Sequence, residues 1–258
     1  MDSHTSWFDY FLPLAGWKEA FTHRFGHDEG IVTFYNPAFG AIAAVLFVSI
    51  LIVAGGLVVR RKIADPQNAI VPDTELSIRT VFEMILDAVY GMMKGIMSPQ
   101  AARFFLPLIA TAAFFILVSN LLGLVPGFLP PTSTWSITLA LGLVIFFATH
   151  VFGAREHGLK YFKHFFGPVI GPKWFLLMAL MLLIELVSHV VRPLSLSVRL
   201  MANMFADHQT VGAFYNLASW VIPIPIMTLG ILVCVVQTLV FCLLSTIYIS
   251  MAVAHEEH

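Results

Sequence analysis

Five polar residues, Glu185, His189, Arg192, Arg199 and Asn203, are set into an otherwise apolar run from Trp174 to His208. At 100° per residue they fall at about 0°, 40°, −20°, −40° and 0°, a single stripe covering about a quarter of a helix circumference. Ser188 borders the stripe, and Asp207 joins it near about 40°. A row of groups that can carry or stabilise a proton, placed inside an apolar span, is the usual signature of an ion path. Arg199 is the costliest member, because an arginine at lipid depth is unfavourable by roughly 2.5 to 3.5 kcal/mol on insertion scales and normally faces a partner or a water-filled cavity. Pro193 lacks the N–H that would bond the His189 carbonyl, so a kink or local hydration is expected there. A purely structural network of Glu185 with His189 and Arg192, at i+4 and i+7, is the alternative use of the same residues.

Other constellations point to less. His150, His157 and His164 fall seven apart, without the i+3 or i+4 pairing that puts two metal ligands on one helix face, and interfacial solvation is the expected role. Cys234 and Cys242 lie eight apart in one apolar run and read as small buried hydrophobes. No Walker lysine loop, nucleophile elbow or helical HExxH motif occurs, so nucleotide hydrolysis or proteolysis by this chain alone is unsupported and no cofactor or metal is expected.

The elements that must hold the stripe follow from composition. Of 258 residues, 59% are hydrophobic and only 11% charged, against about a quarter charged in soluble domains, so the chain reads as an all-α polytopic membrane protein. The net charge of −1 and the scattered basic residues exclude a nucleic-acid partner. Residues 1–36 mix aromatics with charges and read as an N-terminal interfacial segment, followed by a single membrane domain over 37–258. Five spans are expected at about 37–59, 104–128, 135–153, 174–216 and 220–254, each an uncharged or stripe-bearing run long enough to cross ~30 Å of hydrocarbon. The second and third spans should form a hairpin. Glu75, Arg79, Glu83 and Asp87 recur every four residues, which makes about 74–98 an amphipathic helix on the membrane surface with these charges on its wet side.

Six Lys and Arg lie from Arg60 to Arg103 and four from Arg155 to Lys173, against two in residues 1–36 and none in the other turns. The basic loops and the C-terminus are therefore expected in the cytoplasm and the N-terminus outside. The opening residues lack a signal peptide's basic start and apolar core, and a bacterial plasma (inner) membrane is the expected location.

The run Pro193-Leu-Ser-Leu-Ser-Val-Arg199-Leu-Met-Ala-Asn203-Met resembles the signature around the essential arginine of the F-type ATP synthase a subunit family. Gln237-Thr-Leu-Val-Phe-Cys-Leu-Leu-Ser-Thr-Ile-Tyr248-Ile-Ser-Met-Ala resembles that family's last helix. The resemblance covers the chain from Pro37 to its end. It implies a proton-translocating stator subunit that offers two half-channels to a rotating ring of c subunits, with the last two helices long and tilted around the ring. It implies further partners in the b subunits of the peripheral stalk and, through them, the F1 sector. It also implies that the chain binds no nucleotide itself. By position, Arg199 matches the arginine that faces the ring carboxylate, and Asn203 and Gln237 match polar residues around it. Glu185 and Ser188 match the cytoplasmic half-channel; His208 and Asn120 match the opposite, inlet side. Many relatives pair the His208 position with a titratable residue in the last helix, where this chain has Gly230, and others carry acids where it has Gly123 and Gly127. Asp207, beside His208, is the carboxylate available to substitute. A stand-alone ion channel or secondary transporter, or a histidine-dependent membrane oxidoreductase, would use embedded ionisable groups differently; neither accounts for both signatures.

Overall fold

The computed structural model describes residues 39–64, 77–125, 128, 130–158, 175–217 and 223–253; the interfacial segment expected over 1–36 lies outside them. The described residues form six α-helices: α1 (Phe39–Ile63), α2 (Ile78–Lys94), α3 (Pro99–Gly123), α4 (Trp135–His157), α5 (Phe175–Leu217) and α6 (Pro223–Val253). A short 3-10 turn, Pro131–Ser133, precedes α4. All but α2 are long and apolar enough to cross a membrane, and the chain is a multi-pass membrane protein.

The first helix is apolar on nearly every side and ends in Arg60, Arg61 and Lys62, cations suited both to a helix C-terminus and to lipid headgroups. Among its described side chains the buried ones, Ala41, Ala44 and Val48, share one face at i, i+3 and i+7, where small side chains allow close helix approach. Farther along, Gly55 gives room to the Phe82 ring of α2, which a Cβ would meet at 2.9 Å.

The second helix starts at Ser77, whose hydroxyl accepts from the Thr80 N–H, and it packs on α1, α3 and α6. The expectation of a wet Arg79 is corrected here. Its Nε bonds Glu83 Oε1 at 2.7 Å, as the i, i+4 spacing requires, but Arg79 is only 4% exposed. The Glu83 side chain is 40% exposed and Asp87 is exposed, so the charge periodicity located the pair and its wet side, and of these three Arg79 alone is covered in a helix that packs on its neighbours.

The third helix begins five residues earlier than expected. Ser98 caps it and Pro99 occupies the first turn, a position that needs no N–H. Arg103, taken as a boundary from its charge, lies inside the helix and reaches out to donate to Tyr90 Oη at 3.1 Å. Ten of the 25 residues of α3 are buried, among them Ala102, Ala110, Ala112 and Ala113, and the last helix packs against this small-residue face.

The expected hairpin is likewise opened. The last helix packs against both α3 and α4, which meet through Phe104 and Phe105 stacked edgewise on Phe152. Between α4 and α5 the approach is close: a Cβ at Gly142 would stand 2.9 Å from the Pro193 carbonyl and collide with the Ser197 hydroxyl. That hydroxyl donates to the Pro193 carbonyl at 2.7 Å, and α5 continues through Pro193 without a break.

The last two helices have 43 and 31 residues, about 65 and 46 Å at 1.5 Å per residue. Their apolar runs, Leu180–Val211 and Pro225–Val253, exceed a ~30 Å hydrocarbon layer, so they remain within it only by tilting. The pairs Arg192 with Tyr248 and Asn203 with Gln237 fix them as antiparallel neighbours. Inward, α6 turns Cys234, Gln237, Phe241, Cys242, Ser245 and Ile249, and outward it exposes Leu229, Leu232, Val236, Leu239 and Leu243.

Candidate functional site

The polar stripe of α5 divides along its length. His189 is buried and Asp207 half-buried, whereas Arg199 and Asn203 are exposed. The difference follows from angle. Leu196, Leu200 and Met204 are the buried contacts of α5 with its neighbours, and they lie at about 20°, 60° and 100° on the scale used above, beside His189 and Asp207. Arg199 at about −40° is thereby turned out.

Among the described residues no carboxylate lies within ion-pair distance of Arg199. Its exposed neighbours along the face are Ser195, Val198, Ala202 and Ala206, so the guanidinium stands in a strip of small side chains. Asn203, one turn on, is tied down: its Nδ2 donates to Gln237 Oε1 at 2.7 Å, and Gln237 is 4% exposed. Two residues expected near the arginine are thus joined across the α5–α6 seam.

Toward the Glu185 end, His189 Nδ1 lies 2.8 Å from the Glu185 carbonyl and 3.4 Å from Glu185 Oε1. Ser188 is half-buried beside it. Arg192 turns from the stripe to place its Cζ 5.4 Å from the centre of the Tyr248 ring, a cation–π contact with the last helix. His150 of α4 is half-buried and its ring packs 5.1 Å from that of His189. The solvated interfacial role expected for His150 is corrected by this contact. The clue was available, since an imidazole within an uncharged span needs a reason, but its partner is 39 positions away and no local spacing links the two. His150, His189, Arg192 and Tyr248 line a narrow cleft of about 20 Å³, room for about one water, that reaches along α5 to Leu196.

Toward the other end, Asp207 approaches the last helix. A Cβ at Gly230 would lie 2.9 and 3.3 Å from the two Asp207 carboxylate oxygens and 2.6 Å from Leu124. The carboxylate therefore occupies space that a side chain at position 230 would fill. Asn120 is 1% exposed and is engaged by Thr132, whose hydroxyl donates to Asn120 Oδ1 at 2.7 Å. Its Nδ2 and the Ser119 hydroxyl are buried without a hydrogen-bond partner among the described residues. His208 is half-buried. Thr132 was not singled out from sequence, because its turn carries no motif beyond its prolines. Among the described residues no group of three or more metal-binding side chains occurs.

Fold and site together define a multi-pass helical membrane protein with ionisable groups inside its apolar helices, one of them an exposed cation without an ion-pair partner among the described residues. The family described as ATP synthase A chain matches residues 41–250. The chain is 37% identical to ATP synthase subunit a of Sorangium cellulosum over all of both proteins. It is 48% identical to ATP synthase subunit a 2 of Syntrophotalea carbinolica over 67% of this chain and 71% of that one, and 35% identical to the subunit a of Bdellovibrio bacteriovorus over 83% and 92%. The chain belongs to the ATP synthase A chain family. It is thus a proton-translocating membrane subunit and a member of the ATP synthase complex.

Proposed function

We propose that this chain supplies two half-channels to a rotating c-subunit ring and that Arg199 faces the ring carboxylate. The observation that carries the reading is the exposure of Arg199, without an ion-pair partner among the described residues, in a strip of small side chains on α5. A cation so placed is costly unless a mobile acid from another polypeptide arrives opposite it, and Ser195, Ala202 and Ala206 let a passing helix come close.

During synthesis a protonated ring carboxylate reaches Arg199 and loses its proton, since a nearby guanidinium favours the charged form. The proton leaves to the cytoplasm past Ser188, His189 and Glu185. The carboxylate passes Arg199 and takes a new proton from the inlet side, from Asp207 with His208 and Asn120. Asp207 stands where relatives place a side chain from the last helix, which supports it as the inlet carboxylate. Arginine suits its post because the guanidinium stays charged and so cannot relay protons between the half-channels. A proton crossing about 100 mV releases about 2.3 kcal/mol, which a leak at this point would dissipate.

Residues 37–258 act as one membrane unit, oriented with the N-terminus outside and the C-terminus cytoplasmic in a bacterial inner membrane. The b subunits hold this unit against rotation and link it to the F1 sector. The deciding experiment is Arg199→Ala in inverted membrane vesicles carrying the whole complex. ATP-driven proton pumping should vanish while the a, b and c subunits stay assembled; normal pumping would overturn the assignment.

A further inference from the structure

We infer that His150 of α4 and His189 of α5 form a two-imidazole proton relay, so that the cytoplasmic exit path runs between these helices and not along the outer face of α5 alone. The inference rests on the reading of this chain as the proton path and adds a residue to it from another helix.

Three observations support the relay. The rings meet edge to face with centroids 5.1 Å apart and an interplanar angle of 71°, although no other charged or titratable residue occurs from Trp135 to Ala154. In each ring Nδ1 lies 2.8 Å from the carbonyl four residues earlier, Phe146 for His150 and Glu185 for His189. A carbonyl only accepts, so each Nδ1 carries a hydrogen and each neutral ring takes up a proton at Nε2. Finally, both rings line the cleft that reaches Leu196, three residues or about 4.5 Å of helix rise before Arg199. Pro193 also lines it and leaves the His189 carbonyl without its helix donor, an acceptor for cleft water.

The proton count closes in each passage. A cleft water takes up the proton released by the ring carboxylate and gives one of its own to the first Nε2, so the water is unchanged and the imidazole becomes imidazolium. The same N–H bond then breaks as the proton passes, directly or through a water, to the second Nε2 and on to the cytoplasmic side. Both rings return to neutrality with their Nδ1–H bonds intact. Two imidazolium ions this close repel, so the pair carries one proton at a time. The charged and titratable groups around it are Arg155 farther along α4, Glu185 and Arg192 on α5 and Tyr248 on α6. Arg192, held over Tyr248, keeps a fixed positive charge at the inner wall, and Glu185 offers a carboxylate on the outgoing side.

The test uses vesicles containing the whole membrane sector, stripped of F1, with proton flow driven by a potassium diffusion potential from about pH 5 to 8, the range in which histidine side chains change charge. His150→Phe keeps a ring against His189 and removes the nitrogen; His150→Gln keeps a polar side chain and removes the titration. Both variants should assemble to wild-type levels and lower the proton flow about three- to tenfold. The neutral-pH inflection should disappear, and His189→Phe added to either should cost little more, as two steps in series require. If His150→Phe fails to assemble, the His150→Gln profile decides alone. Wild-type flow, or a uniform fall with the inflection intact, would overturn the relay. Arg199→Ala in the same membranes separates the two ideas. Normal coupled pumping there removes the whole proton-path reading, whereas lost pumping there with unchanged flow in the His150 variants removes the relay alone.

Discussion

A lysine at position 199 would keep the charge and lose what the position requires. Its ammonium is compact, strongly hydrated and able to deprotonate when desolvated, whereas the guanidinium stays charged and can meet a carboxylate with two N–H groups at once. Arg199→Lys should therefore retain less than about a tenth of ATP-driven pumping in inverted vesicles; wild-type rates would mean that positive charge alone suffices. Asn203 works differently, through the 2.7 Å bond it gives to buried Gln237. Interhelical hydrogen bonds within membranes contribute about 0.6 to 1.7 kcal/mol, so Asn203→Ala should lower the thermal stability of the complex only slightly. A tenfold loss of pumping alongside that small change would show that the amide pair positions the helix bearing Arg199.

Asp207 and Gly230 make a sharper residue-scale case. A side chain at position 230 would compete for space with the Asp207 carboxylate, whose nearer oxygen stands 2.9 Å from where its Cβ would lie. Asp207→Asn keeps the shape and removes the proton, so pumping should fall severalfold while assembly holds; unchanged pumping would remove Asp207 from the path. The sequence exposed the vacancy at position 230 and the carboxylate at 207. It did not show that they face each other, since that depends on the α5–α6 register.

At the scale of elements, what sequence could reveal was set by how local the cause is. Uncharged runs of about 20 residues or more mark every crossing helix but α5, because hydrocarbon disfavours charge along the run, and α5 is marked by its apolar length around a single polar stripe. Which face of each turns inward depends on partners far away in the chain, and there the reading missed. Arg79 was placed toward water and is buried. His150 was placed at the interface and packs on His189. The expected hairpin of α3 and α4 gives way to a last helix packed against both. Gly142 tests the helix contact that holds the exit side together. Gly142→Val would drive side-chain atoms into Ser197 and the Pro193 carbonyl, 2.9 Å from the first added carbon, and overpacking of this kind costs about 1 to 3 kcal/mol. Lower thermal stability should accompany reduced proton flow, since α4 and α5 would be pushed apart where they enclose the cleft. A Gly142→Val protein with unchanged melting would show that this seam yields easily.

For the whole molecule, the outward face of the last two helices decides whether the chain can act alone. On the side of Arg199, helix α5 exposes Val191, Ala202 and Ala206, and α6 exposes Leu229, Leu232, Val236 and Leu239. Aliphatic side chains suit lipid as well as protein, so they do not discriminate; the arginine does. In lipid alone a guanidinium without a partner must snorkel or draw in water, whereas in the proposed arrangement a ring would bring it a carboxylate with each passing subunit. The cleft at the Glu185 end and the polar groups around Asp207 lie on opposite sides of Arg199 along α5, and within this chain Arg199 lies between them. The purified chain reconstituted without a ring should therefore conduct protons no faster than empty vesicles, and adding the c-subunit ring and b subunits should restore conductance that Arg199→Ala uncouples from ATP. Selective, saturable conductance by the isolated chain would instead favour a self-sufficient channel, because both half-channels would then have to meet inside one subunit.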